Sequence, residues 1–257
     1  KNFWKELFIK LSFLLFSMYL LVEYNNNYRE ILDECKNRNI EAIVLFKLTL
    51  NGKDQIKRQL DYIRKNKHSI KNKTAVQVTI EKQENSSQGT INSLSQEFDL
   101  VIGLGGLNKI NRFFLEDTSV DFLKDPQNTL FQNKTDFIHH LNTGLNQILC
   151  TFAKEKEIGF LFDLNILQSS SKAKVRDFGR MNANLKLARK YGVKSHISFI
   201  ISNVNQIKDA KQMEKLPHLF DLSTKQIKES NTILEEKIKE NAFKKSEGYI
   251  SRGIEVK

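Results

Sequence analysis

The residues with the most chemistry in them lie between Asp136 and Lys190. Lys172, Lys174, Arg176, Arg180, Lys186, Arg189 and Lys190 crowd into one short stretch, opposed only by Asp177. Guanidinium forks and ammonium groups at that density suit phosphate oxygens, and Asn182 and Asn184 add neutral donors. Read as a helix over 172–190, the stretch turns Phe178, Met181, Leu185 and Ala188 toward a core. Arg176, Arg180 and Lys190 are then left to present charge. A solvated helix face accounts for the same residues equally well. No row of exposed aromatics accompanies the cations, so contact with a nucleic-acid backbone or shape is expected rather than base readout.

His139 and His140 stand side by side near Asp136 and invite a metal reading. Adjacent side chains on a helix point about 100° apart, so both face one ion poorly. His68, His196 and His218 are isolated, and the chain has no His-x-His motif. No metal site is therefore assigned. One imidazole is read as packed against the end of the fold, the other as bonded to nearby backbone or solvent. Asp121 and Asp163 lie in or near strands and could act as acid and base only if both entered one cleft. Their spacing does not require that, and no catalytic residue is assigned. Gly103-x-Gly105-Gly106 follows a strand and precedes a helix, but lacks the third glycine of a dinucleotide fingerprint. A tight turn explains it.

These residues must be carried by a folded scaffold. The chain has 257 residues, 40% of them hydrophobic and 28% charged, which fits a packed core. The formal net charge of +11 favours an anionic partner, either nucleic acid or an anionic membrane surface. A lysine-rich composition from an AT-rich genome would give the same excess. Cys35 and Cys150 have no metal-ligand spacing and are read as buried free thiols in a reducing compartment. Leu7 to Val22 is nearly all apolar but short for a membrane span and interrupted by Lys10. The folded domain is expected over 18–257, starting at Met18, with 1–17 upstream or peripheral. A removed signal or a membrane anchor is the alternative.

Apolar runs at Tyr19–Tyr24, Ile40–Phe46, Ala75–Ile80, Asp99–Leu104, Ser119–Leu123, Ile158–Leu164 and His196–Ile201 read as strands. Helical patterns separate them: one capped by Asn27 and running to about Asn37, Lys53–Lys65, a short one capped by Thr90 and running to Gln96, and Leu107–Leu115. Another short helix is expected near Ile207–Glu214, and Ser223 or Thr224 caps a long one with Ile227, Ile233 or Leu234, and Ile238 on its apolar face. The tail from Tyr249 to Lys257 reads as extended. Strands that alternate with helices and are apolar on both faces give a parallel sheet. Seven or eight such units fit an α/β fold of the closed (β/α) barrel type, TIM-barrel-like, better than a doubly wound open sheet.

Several strings together resemble archaeal ribonuclease P protein component 3, the family of the thirty-kilodalton ribonuclease P subunit. They are Val120-Asp121-Phe122-Leu123, then Asp136-Phe137-Ile138-His139-His140-x-Asn142-x-Gly144-Leu145-Asn146-Gln147-x-Leu149-Cys150, then Ala153-Lys154-Glu155. Gly179-Arg180-Met181-x-x-Asn184, Leu187-x-Arg189-Lys190-Tyr191, Gly248-Tyr249 and Gly253-Ile254-Glu255-Val256 continue the likeness. His139, His140, Asn142, Gly144 and Asn146 are its motif residues. The resemblance implies a barrel related to metal-dependent phosphoesterases but without their metal ligands. It implies binding to the catalytic RNA of ribonuclease P beside a small partner, protein component 2. The RNA, with magnesium ions, then removes the 5′ leader of precursor tRNA, and the protein holds no cofactor of its own. Two departures each remove an Arg from a loop: Leu141 follows the histidines, and Ile201-Ser202-Asn203-Val204 leads to Lys208 and Lys211 instead.

The reading is thus a cytoplasmic, non-catalytic RNA-binding subunit. Lys172, Lys174, Arg176, Arg180, Lys186, Arg189 and Lys190 are its phosphate contacts, with Lys208 and Lys211 as additions. The alternative is a barrel hydrolase with a degenerate metal site, which would bind divalent metal and act without RNA. A membrane-tethered binding protein rests on 7–22 alone and is not expected.

Overall fold

The structure is a computed structural model and describes residues 19–81, 86–128, 136, 141–165, 172–207, 215–246, 249–251 and 254–255. Strands β1 (Tyr19–Glu23), β2 (Glu41–Leu50), β3 (Lys73–Ile80), β4 (Leu100–Leu104), β5 (Phe122–Lys124), β6 (Gly159–Asp163), β7 (Ser195–Ser198) and β8 (Ile200–Ile201) form one sheet. Its order is β7-β6-β5-β4-β3-β2-β1-β8, with every pairing parallel. Phe199 alone separates β7 from β8, so the two are halves of one stave. Phe160 to Asp163 pair with the first half, and Leu21 and Val22 with the second. That last pairing joins the first strand to the final one. The sheet is therefore a nearly closed (β/α) barrel and not a doubly wound open sheet.

Helices α1 (Tyr28–Asn37), α2 (Lys53–Lys67), α3 (Ser86–Glu97), α4 (Asn108–Asp117), α5 (Gln147–Glu155), α6 (Lys172–Tyr191) and α7 (Thr224–Lys244) alternate with the staves. Alternate residues of each strand face opposite ways. Val22, Val44, Phe46, Val76, Val78, Phe160 and Phe162 pack outward against the helices. Leu21, Ile43, Leu45, Ala75, Leu100, Ile102, Phe122, Leu161 and Ile200 fill the interior. Burial on both faces is why the strands read as continuous apolar runs.

Helix α7 departs from the ring. Its Ile233, Leu234 and Ile238 join the interior cluster. Its polar side chains reach the N-terminal ends of the staves: Asn241 Nδ2 donates to the Asp99 carbonyl at 3.0 Å, and Lys237 Nζ to the Glu157 carbonyl at 3.3 Å. Ser230 Oγ accepts from Ile197 N at 3.0 Å. The helix thus lies across the floor of the barrel. Ser223 caps it, with Gln226 completing the reciprocal capping box.

The expected elements stand within a few residues, with three differences. Helix α3 begins at Ser86 rather than Thr90, because Ser87, Ile91 and Leu94 form one buried face. Strand β5 begins only at Phe122, since the Asp121 carboxylate is used to accept from Val101 N at 2.7 Å. Asn27 precedes α1 without a side-chain capping bond. The tail pairs antiparallel as β9 (Tyr249–Ser251) and β10 (Ile254–Glu255). The expected helix over 207–214 and the segment 1–17 lie outside the described residues. Cys35 and Cys150 are free and buried, and burial pushes their thiols up to about 11 and 12. Among the described residues no helix is long and apolar enough to cross a membrane.

Candidate nucleic-acid interface

Helix α6 starts at the C-terminal mouth of the barrel and ends at its floor. Met181, Asn184, Leu185 and Ala188 face inward. Arg176, Lys186 and Lys190 are exposed on the opposite side, within about a quarter turn of one another. They form a stripe rather than a cluster, because Arg176 and Lys190 stand about 20 Å apart along the axis. Lys186 Nζ lies 3.8 Å from the Asp221 carboxylate, both groups well exposed, so the pairing is weak. Arg189 is half-buried and donates to the Asp221 carbonyl at 3.0 Å. At the floor end, Lys154 from α5 joins Arg189 and Lys190 around a shallow hollow of about 730 Å³. The expected phosphate contacts did not include Lys154, whose neighbours come from an element far along the chain.

Arg180 corrects the expectation that it presents charge outward. Its side chain is 2% exposed, and its Nη2 and Nε donate to Asp136 Oδ1 at 2.9 and 3.0 Å. Nη1 reaches Asp177 Oδ1 at 3.1 Å. Burial works to raise the Asp136 carboxyl, but the Asn142 N–H and the Arg180 guanidinium outweigh it and hold it below the usual range. Arg180 is thus a clamp on the loop that follows β5. The side chains of Lys172 and Lys174 lie outside the described residues, as do Lys208, Lys211, His139 and His140.

The motif residues that are described build this loop. Asn142 N donates to Asp136 Oδ1 at 2.9 Å. Gly144 sits at φ +83, where a side chain would be strained, and its carbonyl accepts from Asn111 Nδ2 at 2.8 Å. Asn146 caps α5 by accepting from Leu149 N at 2.9 Å. Buried Asn184 donates to the Thr143 carbonyl at 2.9 Å. Helix α5 therefore begins only at Gln147, and the residues from Leu141 to Asn146 are loop. The described motif residues fix backbone, and they place the loop against α4 and α6.

The Asp121 and Asp163 carboxylates do not enter one cleft. Asp121 lies at the floor, where Asn241 Nδ2 donates to it at 2.9 Å, and Asp163 ends β6 at the opposite mouth. Asp163 instead meets Lys124 and Asp125, which lie just past the strand expected over Ser119–Leu123. Lys124 Nζ is 3.4 Å from Asp163 Oδ2, 3.7 Å from Asp125 Oδ2 and 3.4 Å from Gln77 Oε1. Burial pushes the Asp125 carboxyl up to about 6, against the pull of Lys124. An ammonium group therefore occupies the space between the two mouth carboxylates. Among the described residues no group of three His, Cys, Asp or Glu side chains could hold a metal ion. His196 lies at the floor, its Nδ1 donating to the Ser230 carbonyl at 2.6 Å, and burial pushes it down to about 4. The glycine turn offers no phosphate cradle, because Gly106 N already donates to Asn111 Oδ1 at 2.8 Å. A Cβ at Gly105 would stand 2.7 Å from Pro126 Cα, so close packing explains that glycine.

No protein-family model matches the chain. It is 26% identical over 178 residues to ribonuclease P protein component 3 of Methanosarcina barkeri, covering 69% of this chain and 70% of that protein. It is 27% identical over 179 residues to the component of the same name from Methanosarcina acetivorans, covering 69% and 70%. The fold resembles a chain in the cryo-EM structure of archaeal ribonuclease P with mature tRNA. The TM-score is 0.69 at 18% identity, over 93% of this chain and 97% of that one. The chain is thus similar in sequence to ribonuclease P protein component 3 and in fold to a chain of an archaeal ribonuclease P.

Proposed function

We propose that the chain is the component 3 protein subunit of a ribonuclease P and that it binds and stabilises the catalytic RNA for 5′-leader removal from precursor tRNA. The observation that carries this reading is the run of sequence similarity to component 3 proteins, joined to a fold matched over nearly the whole length of a ribonuclease P chain. The exposed stripe of Arg176, Lys186 and Lys190 supplies the physical means. Each cation set against a phosphate releases condensed counterions, and the contact lets RNA strands that would otherwise repel one another lie close together. Protein component 2 is its proposed protein neighbour and the cytoplasm its proposed compartment. Magnesium enters with the RNA.

The hydrolase alternative requires the barrel mouth to take a divalent ion. Lys124 argues against it, since a fixed cation already stands between Asp125 and Asp163. The test is purification of the tagged protein from its native cell, with the bound RNA sequenced. Enrichment of ribonuclease P RNA is expected. Divalent metal bound by the protein, with phosphoesterase activity and no RNA, would overturn the reading.

A further inference from the structure

The cations read from the sequence come without aromatics, yet the fold assembles an aromatic site elsewhere. We propose that a cleft beside the C-terminal ends of β1 and β2 seats an unpaired nucleotide of an RNA strand. Its base would lie against Tyr62 and Tyr24 and its phosphate toward Arg29 and Arg58. The proposal deepens the ribonuclease P reading and rests on it for the identity of the strand.

The cleft measures about 590 Å³, within the range of small-ligand sites. Tyr24 follows β1, Tyr28 opens α1, Phe46 lies in β2 and Tyr62 is on α2. Their rings form one connected wall: Tyr24 is 4.5 Å from Phe46, 4.7 Å from Tyr28 and 6.5 Å edge-on from Tyr62, centroid to centroid. Phe46 and Tyr28 are buried and serve as backing. Tyr62 is 60% exposed, so a ring face stands open to a ligand. Such a large exposed aromatic, held by a ring behind it, is a stacking platform.

The charge around the wall is of one sign. Arg29, Lys47 and Arg58 line the cleft, and no carboxylate does. Lys47 is neutralised by Glu23 at 2.6 Å, outside the lining, which leaves the two arginines as the phosphate-directed groups. Arg29 lies 5.8 Å from the centre of the Tyr28 ring, its Nε donating to the Tyr28 hydroxyl at 3.2 Å, so it is held at the rim. An aromatic floor beneath a cationic rim matches a base joined to a phosphate better than either alone.

The walls also bear on selectivity. Gln59 exchanges two bonds with the Thr49 backbone, Asn66 donates to the Tyr62 carbonyl at 2.8 Å, and Asn25 donates to the Ser202 carbonyl at 2.9 Å. With these amides engaged, few groups remain to read a base edge. The site therefore takes any base by its face.

The test is fluorescence anisotropy of the full chain with labelled oligouridylate and oligoadenylate, and with a ribose-phosphate strand of equal length lacking bases. Tyr62→Leu is expected to weaken both base-bearing strands about ten-fold and to leave the abasic strand unchanged. Tyr62→Phe keeps the stacking face and should keep the affinity. Arg58→Gln should weaken all three strands. Tyr62 is largely exposed, so the fold is retained, and circular dichroism checks this. Equal affinity of wild type and Tyr62→Leu for base-bearing strands would overturn the proposal, as would no binding by the wild type. Native purification would still return ribonuclease P RNA in that event, so the subunit reading is judged separately.

Discussion

Arg176 and Arg180 stand one helical turn apart and differ by only about 40° around α6, yet they do opposite things. Arg180 is buried and bonds the carboxylates of Asp136 and Asp177, while Arg176 faces water. Arg180→Met should lower stability by about 1.5–3 kcal/mol in urea unfolding, because Asp136 and Asp177 lose their charge-assisted hydrogen bonds. Arg176→Gln should leave stability within about 0.5 kcal/mol. In RNA binding it should flatten the slope of log affinity against log salt by roughly 0.7–0.9. The cationic composition of this stretch was plain in the sequence, but the inward turn of Arg180 was not. Its partner Asp136 is 44 residues away and is delivered by a loop whose path depends on Asn111 and Asn184. Titration separates two other residues. Asp125 keeps its proton in the folded state up to about 6, above its ordinary 3.8, so its contribution to stability falls as pH rises through that window. His196 stays neutral down to about 4, below its ordinary 6.5, so its contribution rises with pH over nearly the same range. The two slopes oppose each other. Unfolding free energies from urea titrations between about pH 4 and 7 should therefore rise with pH in Asp125→Asn and fall with pH in His196→Asn, each by on the order of 2 kcal/mol. Parallel profiles for the two variants would contradict this assignment.

At the scale of elements, periodicity was enough to find nearly every strand and helix, because strands buried on both faces and helices buried on one leave different apolar patterns. It did not say that α7 closes the floor. An amphipathic helix lying on the outside of a barrel and one lying across its end have the same sequence pattern. The distinction comes from Ile233, Leu234 and Ile238 meeting Leu21, Leu100 and Leu161, which are interior residues. Leu234→Ala should cost about 2–5 kcal/mol, the range for a buried leucine truncated in a packed core. Ser223→Ala removes the capping oxygen bonded to Gln226 N and should cost about 1 kcal/mol. Both are read by denaturant unfolding, and a Leu234 effect no larger than the cap would mean that the floor is not part of the core.

The whole molecule combines a basic surface with a filled interior. The net charge of +11 favours an anionic partner, and the resemblance is what points to ribonuclease P RNA as the one proposed. The aromatic cleft was hidden because Tyr24, Phe46 and Tyr62 are far apart in the chain and meet only when α2 folds against β1 and β2. The mouth site was hidden for a similar reason, since Asp125-Pro126 reads locally as a strand stop. The stave shared between β7 and β8 also bears on how the protein is made. One short segment supplies a partner to both β6 and β1. A ribosome-bound chain that has not yet emerged past residue 201 therefore carries β1 with one edge unpaired. That edge is made of Leu20, Leu21 and Val22, the kind of strand that recruits other strands. Completion of the ring must wait for contacts between the two ends of the chain, which is slow by topology. Nascent chains halted before that point should be the ones that aggregate or need a chaperone, and chains that have also released α7 should resist proteases.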